Sequence, residues 1–213
     1  ILGIVGESGS GNSVTALATL KLLTKNKTIL EGSINYQNNN LLDLEDIEIR
    51  KIRGKDIAII FQEPMSALNP TMRCVDQLRE CIKEDLLDKE AIDKEIDLLI
   101  NKVRLEKVEN FNSKYPHQLS GGQKQRLMIA MAIASKPLLL IADEPTTALD
   151  VTVQKEIIEL LIQSRNSEGL SIIFISHDLA LVSEIADKVI VMYKGEIIEQ
   201  GRASKIFKKP TKN

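Results

Sequence analysis

The sequence has little cysteine and no long apolar run, and each absence excludes a class of protein. Cys74 and Cys81 are the only cysteines among 213 residues, too few for a disulfide framework or a four-ligand metal site. We expect both to be small apolar side chains in a reduced, cytosolic protein. The longest apolar run, from Leu127 to Ala134, is far shorter than the ~20 residues that span a bilayer.

Net charge is also small. Lysine and arginine number 28, aspartate and glutamate 30, and the formal net charge is −2. Sequence-independent binding of nucleic acid normally needs a basic excess, so no nucleic-acid partner is expected. No basic segment precedes the apolar stretch Ile1–Val5, and we expect no signal peptide there. With 43% hydrophobic residues, the chain can bury a core of its own.

Five short apolar runs are predicted to be buried strands. They are continuous rather than alternating, as expected for a parallel sheet that is covered on both faces. Amphipathic helical patterns lie between several of them, which favours a wound α/β fold. Lys194-Gly195 is predicted to be a hairpin turn. The five runs are Ile1–Val5, Ile57–Phe61, Leu138–Ala142, Ser171–Ile175 and Val189–Tyr193.

No strand pattern occurs between Val75 and Ser135. Apolar residues there keep helical spacing, and turn-rich segments flank the region. The sequence therefore predicts an inserted helical subdomain at about residues 75–135, with a core formed by residues 1–74 and 136–213. The low-complexity triplet Asn38–Asn40 is predicted to lie at a loop tip.

The first strand runs into a glycine- and serine-rich loop that precedes a predicted helix. This strand–loop–helix order is the context that a P-loop requires. Glycines let successive N–H groups point inward, and the positive end of the helix adds to their attraction for phosphate. Ser13 offers a hydroxyl at the position of a Mg²⁺ ligand. The predicted phosphate-binding residues are Gly6, Glu7, Ser8, Gly9, Ser10, Gly11, Asn12, Ser13 and Val14.

Asn12 occupies the position at which a P-loop carries lysine. That lysine reaches the β- and γ-phosphates as a cation and offsets charge in the transition state. Asparagine is shorter and uncharged, so its presence should cost about 2–4 kcal/mol, or roughly 10²–10³-fold in rate. Taken by itself, the loop could also be an ordinary turn before a helix.

A second strand ends in two acids, Asp143 and Glu144. In P-loop proteins an aspartate at this point holds Mg²⁺, directly or through water. The glutamate beside it can polarise the attacking water. The alternative is that either acid merely begins the turn before Pro145.

The segment Leu119–Gln123 predicts a second anion-binding helix start. Its phosphate-facing residues would be Ser120, Gly121, Gly122 and Gln123, which offer N–H groups and a hydroxyl. Two such helix starts cannot easily hold one phosphate chain from a single subunit, but they can from opposite subunits. With these motifs in this order, nearly the whole chain resembles the ATP-binding cassette (ABC) ATPases, whose signature is this pentapeptide.

The resemblance implies further roles and ATP with Mg²⁺ as cofactors. Gln62 matches the glutamine that touches Mg²⁺ and water and couples the helical insertion to the site. Ala148–Asp150 matches the segment that crosses the dimer interface, and Asp150 is assigned to the nucleotide site. His177 matches the histidine that contacts the γ-phosphate. His117, just before the signature, is interpreted as structural.

Within the family, four segments resemble the oligopeptide, dipeptide and nickel importer branch, although glutathione and metal importers share them. The branch implies a second ABC ATPase subunit and membrane permease subunits as partners. It also implies a peripheral location on the cytoplasmic face of the cell membrane. An upstream aromatic that stacks on adenine and a C-terminal extension are missing, so we expect a truncated or degenerate member. The segments are Phe61–Pro70, Tyr115–Gln118, Asp143–Thr152 and Ile206–Thr211.

The leading hypothesis is an ATP-hydrolysing motor subunit of a peptide importer, with its own site impaired by Asn12. A second is a non-hydrolysing, regulatory or inert subunit, which Asn12 favours and the intact Asp143, Glu144, Ser120 and His177 oppose. A third is a soluble ABC ATPase that acts on nucleic acid or ribosomes, which the balanced charge opposes.

Overall fold

The computed structural model describes residues 1–24, 28–63, 67–82, 88–147 and 149–208. Its strands are β1 (Leu2–Val5), β2 (Asn35–Tyr36), β3 (Asn39–Asn40), β4 (Ile57–Ile60), β5 (Leu139–Asp143), β6 (Ser171–Ser176), β7 (Lys188–Tyr193) and β8 (Glu196–Arg202). Within these residues, six strands form one sheet in the order β4-β5-β6-β1-β7-β8, and β2 pairs with β3 apart from it.

Five neighbouring strands of the large sheet are parallel. β4 pairs with β5, β5 with β6, β6 with β1 and β1 with β7. The predicted α/β fold with a mostly parallel sheet is therefore confirmed. β8 runs antiparallel to β7 after a turn in which Lys194 and Gly195 have φ angles of 48° and 84°. These positive angles are typical of the two-residue hairpin turn that was predicted there.

Helices cover both faces of the sheet. Successive side chains of a strand point to opposite faces: Ile4 packs in one cluster with Ala16 and Leu20, and Val5 packs in the other with Leu161. The continuous apolar strands are thus packed against apolar side chains on both faces of the sheet. The helices are α1 (Asn12–Thr19), α2 (Asp46–Ile52), α3 (Cys74–Glu80), α4 (Lys89–Lys102), α5 (Gly121–Ile133), α6 (Val151–Glu168), α7 (Leu179–Ile185) and α8 (Ala203–Ile206).

Within the described part of the chain from Cys74 to Ile133, the regular elements are α3, α4, α5 and two 3₁₀ turns. Leu78, Leu99 and Leu127 from the three helices share one buried cluster with Leu140 of β5. The helical region is thus continuous with the core beneath the sheet. The subdomain boundaries near residues 75 and 135 stay a prediction.

Two short elements, β3 and α2, are not among those predicted from the sequence. Of the predicted loop tip Asn38–Asn40, Asn38 lies in a turn, whereas Asn39 and Asn40 form β3. Gln37 and Asn38 have φ angles of 45° and 68°, again those of a two-residue hairpin turn. Helix α2 begins with a reciprocal capping box between Glu45 and Glu48, a local signal that the sequence does show.

Both cysteines are free thiols, Cys74 fully and Cys81 partly buried. Burial raises the pKa of each thiol to about 11, so both stay protonated at neutral pH and neither is a reactive thiolate. None of the helices in the described ranges combines the length and apolar character that crossing a bilayer demands.

Candidate functional site

Glycines shape the loop between β1 and α1. Gly9 and Gly11 have φ angles of 83° and 98°, which residues with a Cβ adopt only at a cost. A Cβ on Gly6 would lie 2.4 Å from the carbonyl oxygen of Met192, so β7 leaves no room for a side chain. The amide of Gly195 in the next turn donates to the carbonyl of Ser10 over 2.9 Å. The loop is therefore held tightly at the end of the sheet.

Helix α1 begins where this loop ends. Its N-cap is Gly11, which has no side chain to cap the helix. The N–H groups of a first helical turn lack acceptors within the helix, so those of α1 remain available to a ligand. Together with the positive end of the helix dipole they form an anion-binding site.

The loop faces a cavity of about 570 Å³ at the carboxyl ends of the parallel strands. Gln62, after β4, and His177, after β6, line it from distant parts of the chain, and their roles stay predictions. Ser10 and Asp143 are buried, 3% and 5% exposed, and support the lining. The lining residues are Gly6, Glu7, Ser8, Gly9, Gly11, Asn12, Ser13, Val14, Gln62, Glu144, Ile175 and His177.

Asn12 is the first residue of α1 and is 8% exposed. Its Oδ1 accepts a hydrogen bond from the hydroxyl of Ser10, so the side-chain amide is held against its own loop. Among the described residues that line the cavity there is no lysine or arginine, whereas Glu7 and Glu144 are present. The cavity therefore carries more negative than positive charge.

Ser13 and Asp143, the two predicted Mg²⁺ ligands, are hydrogen-bonded to each other. The Ser13 hydroxyl donates to Oδ1 of Asp143 over 2.9 Å. Burial raises the pKa of Asp143, the bond from Ser13 opposes this, and the charge of Glu144 raises it further. Two ligands at right angles on an octahedral Mg²⁺, each at about 2.0–2.1 Å, lie about 2.9 Å apart. The two oxygens therefore fit neighbouring positions around such an ion.

Glu144 is held by donors on both carboxylate oxygens. Oε1 lies 2.7 Å from Nδ1 of His177 and accepts from the His177 backbone N–H over 3.1 Å. Oε2 accepts from the hydroxyl of Thr147 over 2.6 Å. The hydrogen bond and charge of Glu144 raise the pKa of His177 above its ordinary value. Glu144 itself has a φ of 49°, a costly backbone angle that recurs at functional sites.

Thr147 was missed by the sequence interpretation. It lies in the turn that follows Glu144, whose carbonyl accepts from the Thr147 amide over 3.2 Å. A hydroxyl three residues after a carboxylate in a turn is a local signal, but the bond depends on the loop conformation.

The second helix start, at α5, is exposed and lies apart from the cavity. Ser120 caps α5: its hydroxyl accepts from the Gln123 amide over 3.3 Å, and the Gln123 side chain accepts from the Ser120 amide over 2.9 Å. Ser120 and Gly121 are exposed. None of the described cavity-lining residues comes from Ser120–Gln123.

Gly122 brings α5 against α6, because a Cβ there would lie 2.8 Å from Cγ1 of Val153. Asp150 is exposed and caps α6 through the Val153 amide, over 3.0 Å. Its interface and nucleotide roles stay predictions. Ala148, which belongs to the same predicted segment, lies outside the described residues, as do Pro64–Ser66 and 209–211 of the importer-like segments.

His117 is exposed and its ring stacks on Tyr115 with centroids 5.8 Å apart. It is not one of the residues that the structure brings to the cavity. Its interpretation as structural stays a prediction.

A glycine-rich turn between a strand and a helix, beside a carboxylate at the end of a parallel strand, is the arrangement of P-loop nucleotide-binding proteins. The sequence model of the ABC transporter family matches residues 1–147, and the chain belongs to that family.

Relatives in the family support the branch that the sequence predicts. The dipeptide transport ATP-binding protein DppD of Haemophilus influenzae is 49% identical over 212 residues, 99% of this chain and 64% of DppD. The glutathione import ATP-binding protein GsiA of Salmonella typhimurium is 45% identical over 218 residues, 99% of this chain and 35% of GsiA. The chain thus spans less than two thirds of their length. Their names confirm the resemblance to the peptide importer branch.

Solved structures agree with the fold. The dimeric ATP-binding cassette MJ0796, in a post-hydrolysis state with ADP and Pi, has a TM-score of 0.82 at 28% identity, covering 95% of this chain and 85% of that one. CbiO1 from Clostridium perfringens, part of the ABC transporter complex cbiONQ, has a TM-score of 0.82 at 29% identity, covering 98% and 79%. The predicted P-loop core fold is confirmed.

Proposed function

We propose that this chain is the ATP-binding subunit of a membrane importer for oligopeptides or dipeptides, and that it works in a pair. The observation that carries the proposal is the convergence of Gly6–Val14, Gln62, Glu144 and His177 on one cavity, beside the Ser13–Asp143 pair. Those residues have the chemistry for holding a triphosphate, a Mg²⁺ ion and an attacking water.

Pairing follows from the exposed start of α5. Ser120 and Gly121 are exposed to solvent and lie away from the chain's own cavity. In the proposed assembly each ATP is held by the P-loop of one subunit and by Ser120–Gln123 of the other. Asp150 lies at the interface between them. The dimeric cassette that this chain resembles supports this arrangement.

A groove beside Gln62 is the proposed contact for the permease. Its volume is about 710 Å³, and it begins at Phe61 and extends between the sheet and α5 to Met128 and Met131. Met131 is partly exposed, and a methionine side chain adapts readily to a partner surface. Movement of Gln62 with the nucleotide can pass through Phe61 to a membrane subunit seated there. The chain would then lie on the cytoplasmic face of the membrane.

The chain's own hydrolysis is proposed to be slow. The amide of Asn12 is bonded to Ser10 and carries no charge, so it cannot neutralise the transition state as lysine would. With an intact partner, the chain can still supply Ser120–Gln123 to the partner's ATP. A non-hydrolysing, regulatory role is the second candidate function, and Asn12 is the observation that favours it.

The deciding experiment compares ATP binding and turnover of the natural chain, Asn12→Lys and Asn12→Met. Methionine is one atom shorter than lysine and has no charge. Asn12→Lys should raise turnover by roughly 10²–10³-fold, and Asn12→Met should not. Absence of ATP binding in all three proteins would reject the proposed function. ATP binding without turnover in Asn12→Lys would favour the non-hydrolysing role.

A further inference from the structure

Gln77 is a buried glutamine whose side chain binds the main chain of a single turn. It lies in α3 and is 4% exposed. Its Oε1 accepts from the Asn69 amide over 2.9 Å, and its Nε2 donates to the carbonyls of Asn69 and Met72 over 3.0 and 2.9 Å. An uncharged side chain of this length that offers an acceptor and two donors is found only in glutamine. Gln77 therefore holds the turn at residues 69–72 against α3.

The turn also has hydrogen bonds of its own. The Met72 amide donates to the Asn69 carbonyl over 3.3 Å, and Oδ1 of Asn69 accepts from the amide and the hydroxyl of Thr71. These bonds close the turn but do not attach it to another element. Leu68, which precedes the turn, is buried in the apolar cluster to which α3 contributes. Burial of Leu68 and the bonds to Gln77 thus dock the turn on α3.

Helix α3 is itself held in place. The amide of Cys74, its first residue, donates to the carbonyl of Lys114 over 2.8 Å. Leu78 of α3 is fully buried and shares a cluster with Leu140 of β5. Because α3 is fixed, the turn cannot leave its place without breaking the bonds to Gln77.

The docked turn ends the loop that carries Gln62 into the nucleotide cavity. The loop starts after Ile60, the last residue of β4, and Gln62 lines the cavity. Gln62 is exposed, so its place depends on how the two ends of the loop are held. A chain that is fixed at both ends samples fewer conformations than one that is fixed at a single end.

We propose that Gln77 is a positioning residue for Gln62: by fixing Asn69 and Met72 to α3, it keeps the loop in the conformation that brings Gln62 to the cavity. The inference rests on the proposed function, because it concerns the turnover of ATP. It gives a part in that reaction to a side chain that does not line the cavity. Without this anchor, Gln62 spends less time at the bound nucleotide and kcat falls.

The anchor is tested by trypsin cleavage after Arg73, an exposed residue that directly follows the turn. Cleavage requires the chain to open locally. Gln77→Met keeps nearly the same volume but removes the three bonds, so cleavage should become at least about tenfold faster. Gln125→Met is the matched control, because Gln125 is 2% exposed in α5 and its Nε2 has no hydrogen-bond partner in the described structure. It should be cleaved as slowly as the natural chain.

The positioning role is tested by a double-mutant cycle in Asn12→Lys, the variant for which we expect the faster turnover. Gln77→Met should lower kcat by about tenfold, and Gln62→Ala should lower it at least as much. If Gln77 acts through Gln62, the two substitutions together should lower kcat no further than Gln62→Ala alone. A purely structural role predicts instead that the two losses multiply. Gln125→Met should leave kcat unaltered.

Unchanged cleavage after Arg73 in Gln77→Met would overturn the inference, and so would an unchanged kcat or losses that multiply. An equal loss of kcat in Gln125→Met would do the same. If Gln77→Met does not fold, Gln77→Glu replaces it, since a glutamate keeps an acceptor for the Asn69 amide but not both donors. If Asn12→Lys itself has no turnover, the proposed hydrolysis fails and the positioning role fails with it. If Asn12→Lys is active and the losses multiply, only the inference fails.

Discussion

At the scale of single residues, the carboxylate of Glu144 is the most constrained group of the site. Its two oxygens accept from His177 on one side and from Thr147 on the other. A carboxylate that is free to rotate would seldom point a lone pair at a bound water. Thr147 therefore has a positioning role: it fixes Oε2 so that the group keeps one orientation.

We expect Thr147→Val to lower turnover when it is introduced into Asn12→Lys, the variant for which we expect the faster turnover. Valine keeps the shape but not the 2.6 Å hydrogen bond to Glu144. A bond of about 1.4 kcal/mol corresponds to roughly tenfold in rate. Steady-state ATPase assays should show the loss in kcat, with the affinity for nucleotide unchanged.

Thr71→Val is the control for that experiment, since Thr71 bonds to Asn69 and neither residue lines the cavity. It should leave kcat unaltered. If Thr147→Val weakened nucleotide binding instead of kcat, Thr147 would hold the ligand rather than the carboxylate.

The contact between His177 and Glu144 changes the pKa of the imidazole. The hydrogen bond and negative charge of Glu144 raise the pKa of His177 above its ordinary value of 6.5. A raised pKa in the folded state means that the pair stabilises the fold below about pH 6.5, and that this stabilisation is lost as pH rises through the folded pKa. Because the imidazole is 63% exposed, the effect on stability is small.

Titration by NMR should reveal that shift directly. In metal-free protein, Glu144→Gln should bring the pKa of His177 down toward 6.5, because the amide has no charge to favour the imidazolium. An unchanged titration of His177 in Glu144→Gln would contradict the contact.

At the scale of elements, the approach of α5 to α6 depends on one glycine of an adjacent pair. A Cβ on Gly122 would lie 2.8 Å from Cγ1 of Val153, whereas one on Gly121 would have its nearest neighbour, Leu149, at 4.0 Å. Valine has little rotamer freedom in a helix, so it cannot turn aside. Packing against Val153 therefore requires a glycine at position 122, whereas a methyl group has room at position 121.

Gly122→Ala should be less stable than Gly121→Ala by about 1–3 kcal/mol, the cost of overpacking. Urea denaturation of the two variants measures the difference, with helix propensity nearly the same in both. Adding Val153→Ala to Gly122→Ala removes the clashing methyls and should recover most of the loss. Equal stability of the two glycine variants would show that α5 can shift without cost.

Some elements could be predicted from the sequence, and others could not. Leu139–Asp143 was predictable because an unbroken apolar run that ends in acids fits a strand buried on both faces. Asn39–Asn40 was not, since two polar residues in a hairpin carry no periodicity. The bonds from Ser10 to Asn12 and from Thr147 to Glu144 depend on loop conformation and side-chain torsions, which residue types leave open.

At the scale of the whole molecule, the two anion-binding helix starts face different surroundings. The start of α1 opens into the chain's own cavity, and Ser120 at the start of α5 is exposed and does not line it. In the proposed pair, a second subunit brings the two starts to one nucleotide. The chain has Asn12 in place of the P-loop lysine at the start of α1, whereas the start of α5 keeps the signature residue Ser120.

That asymmetry allows a complementation test with this chain alone. Protein A combines Asn12→Lys with Ser120→Arg, so its P-loop is repaired and its α5 start is blocked by a bulky side chain. Protein B is the natural chain, which has Asn12 in its P-loop and an unblocked Ser120 at the start of α5. If each ATP is held by one subunit's P-loop and the other's Ser120–Gln123, neither protein alone can assemble a complete site, but the mixed pair can. Mixing A with B should raise ATP turnover at least about tenfold over either protein alone.

The control replaces B by its Ser120→Arg variant, which should leave the mixture inactive. Ser120 is exposed and loss of its cap costs only about 1 kcal/mol, so these variants should fold, which circular dichroism verifies. If A alone hydrolysed ATP as fast as Asn12→Lys, the start of α5 would have no part in catalysis. If mixing gave no gain while Asn12→Lys was active, the two helix starts would not act across a pair of these chains.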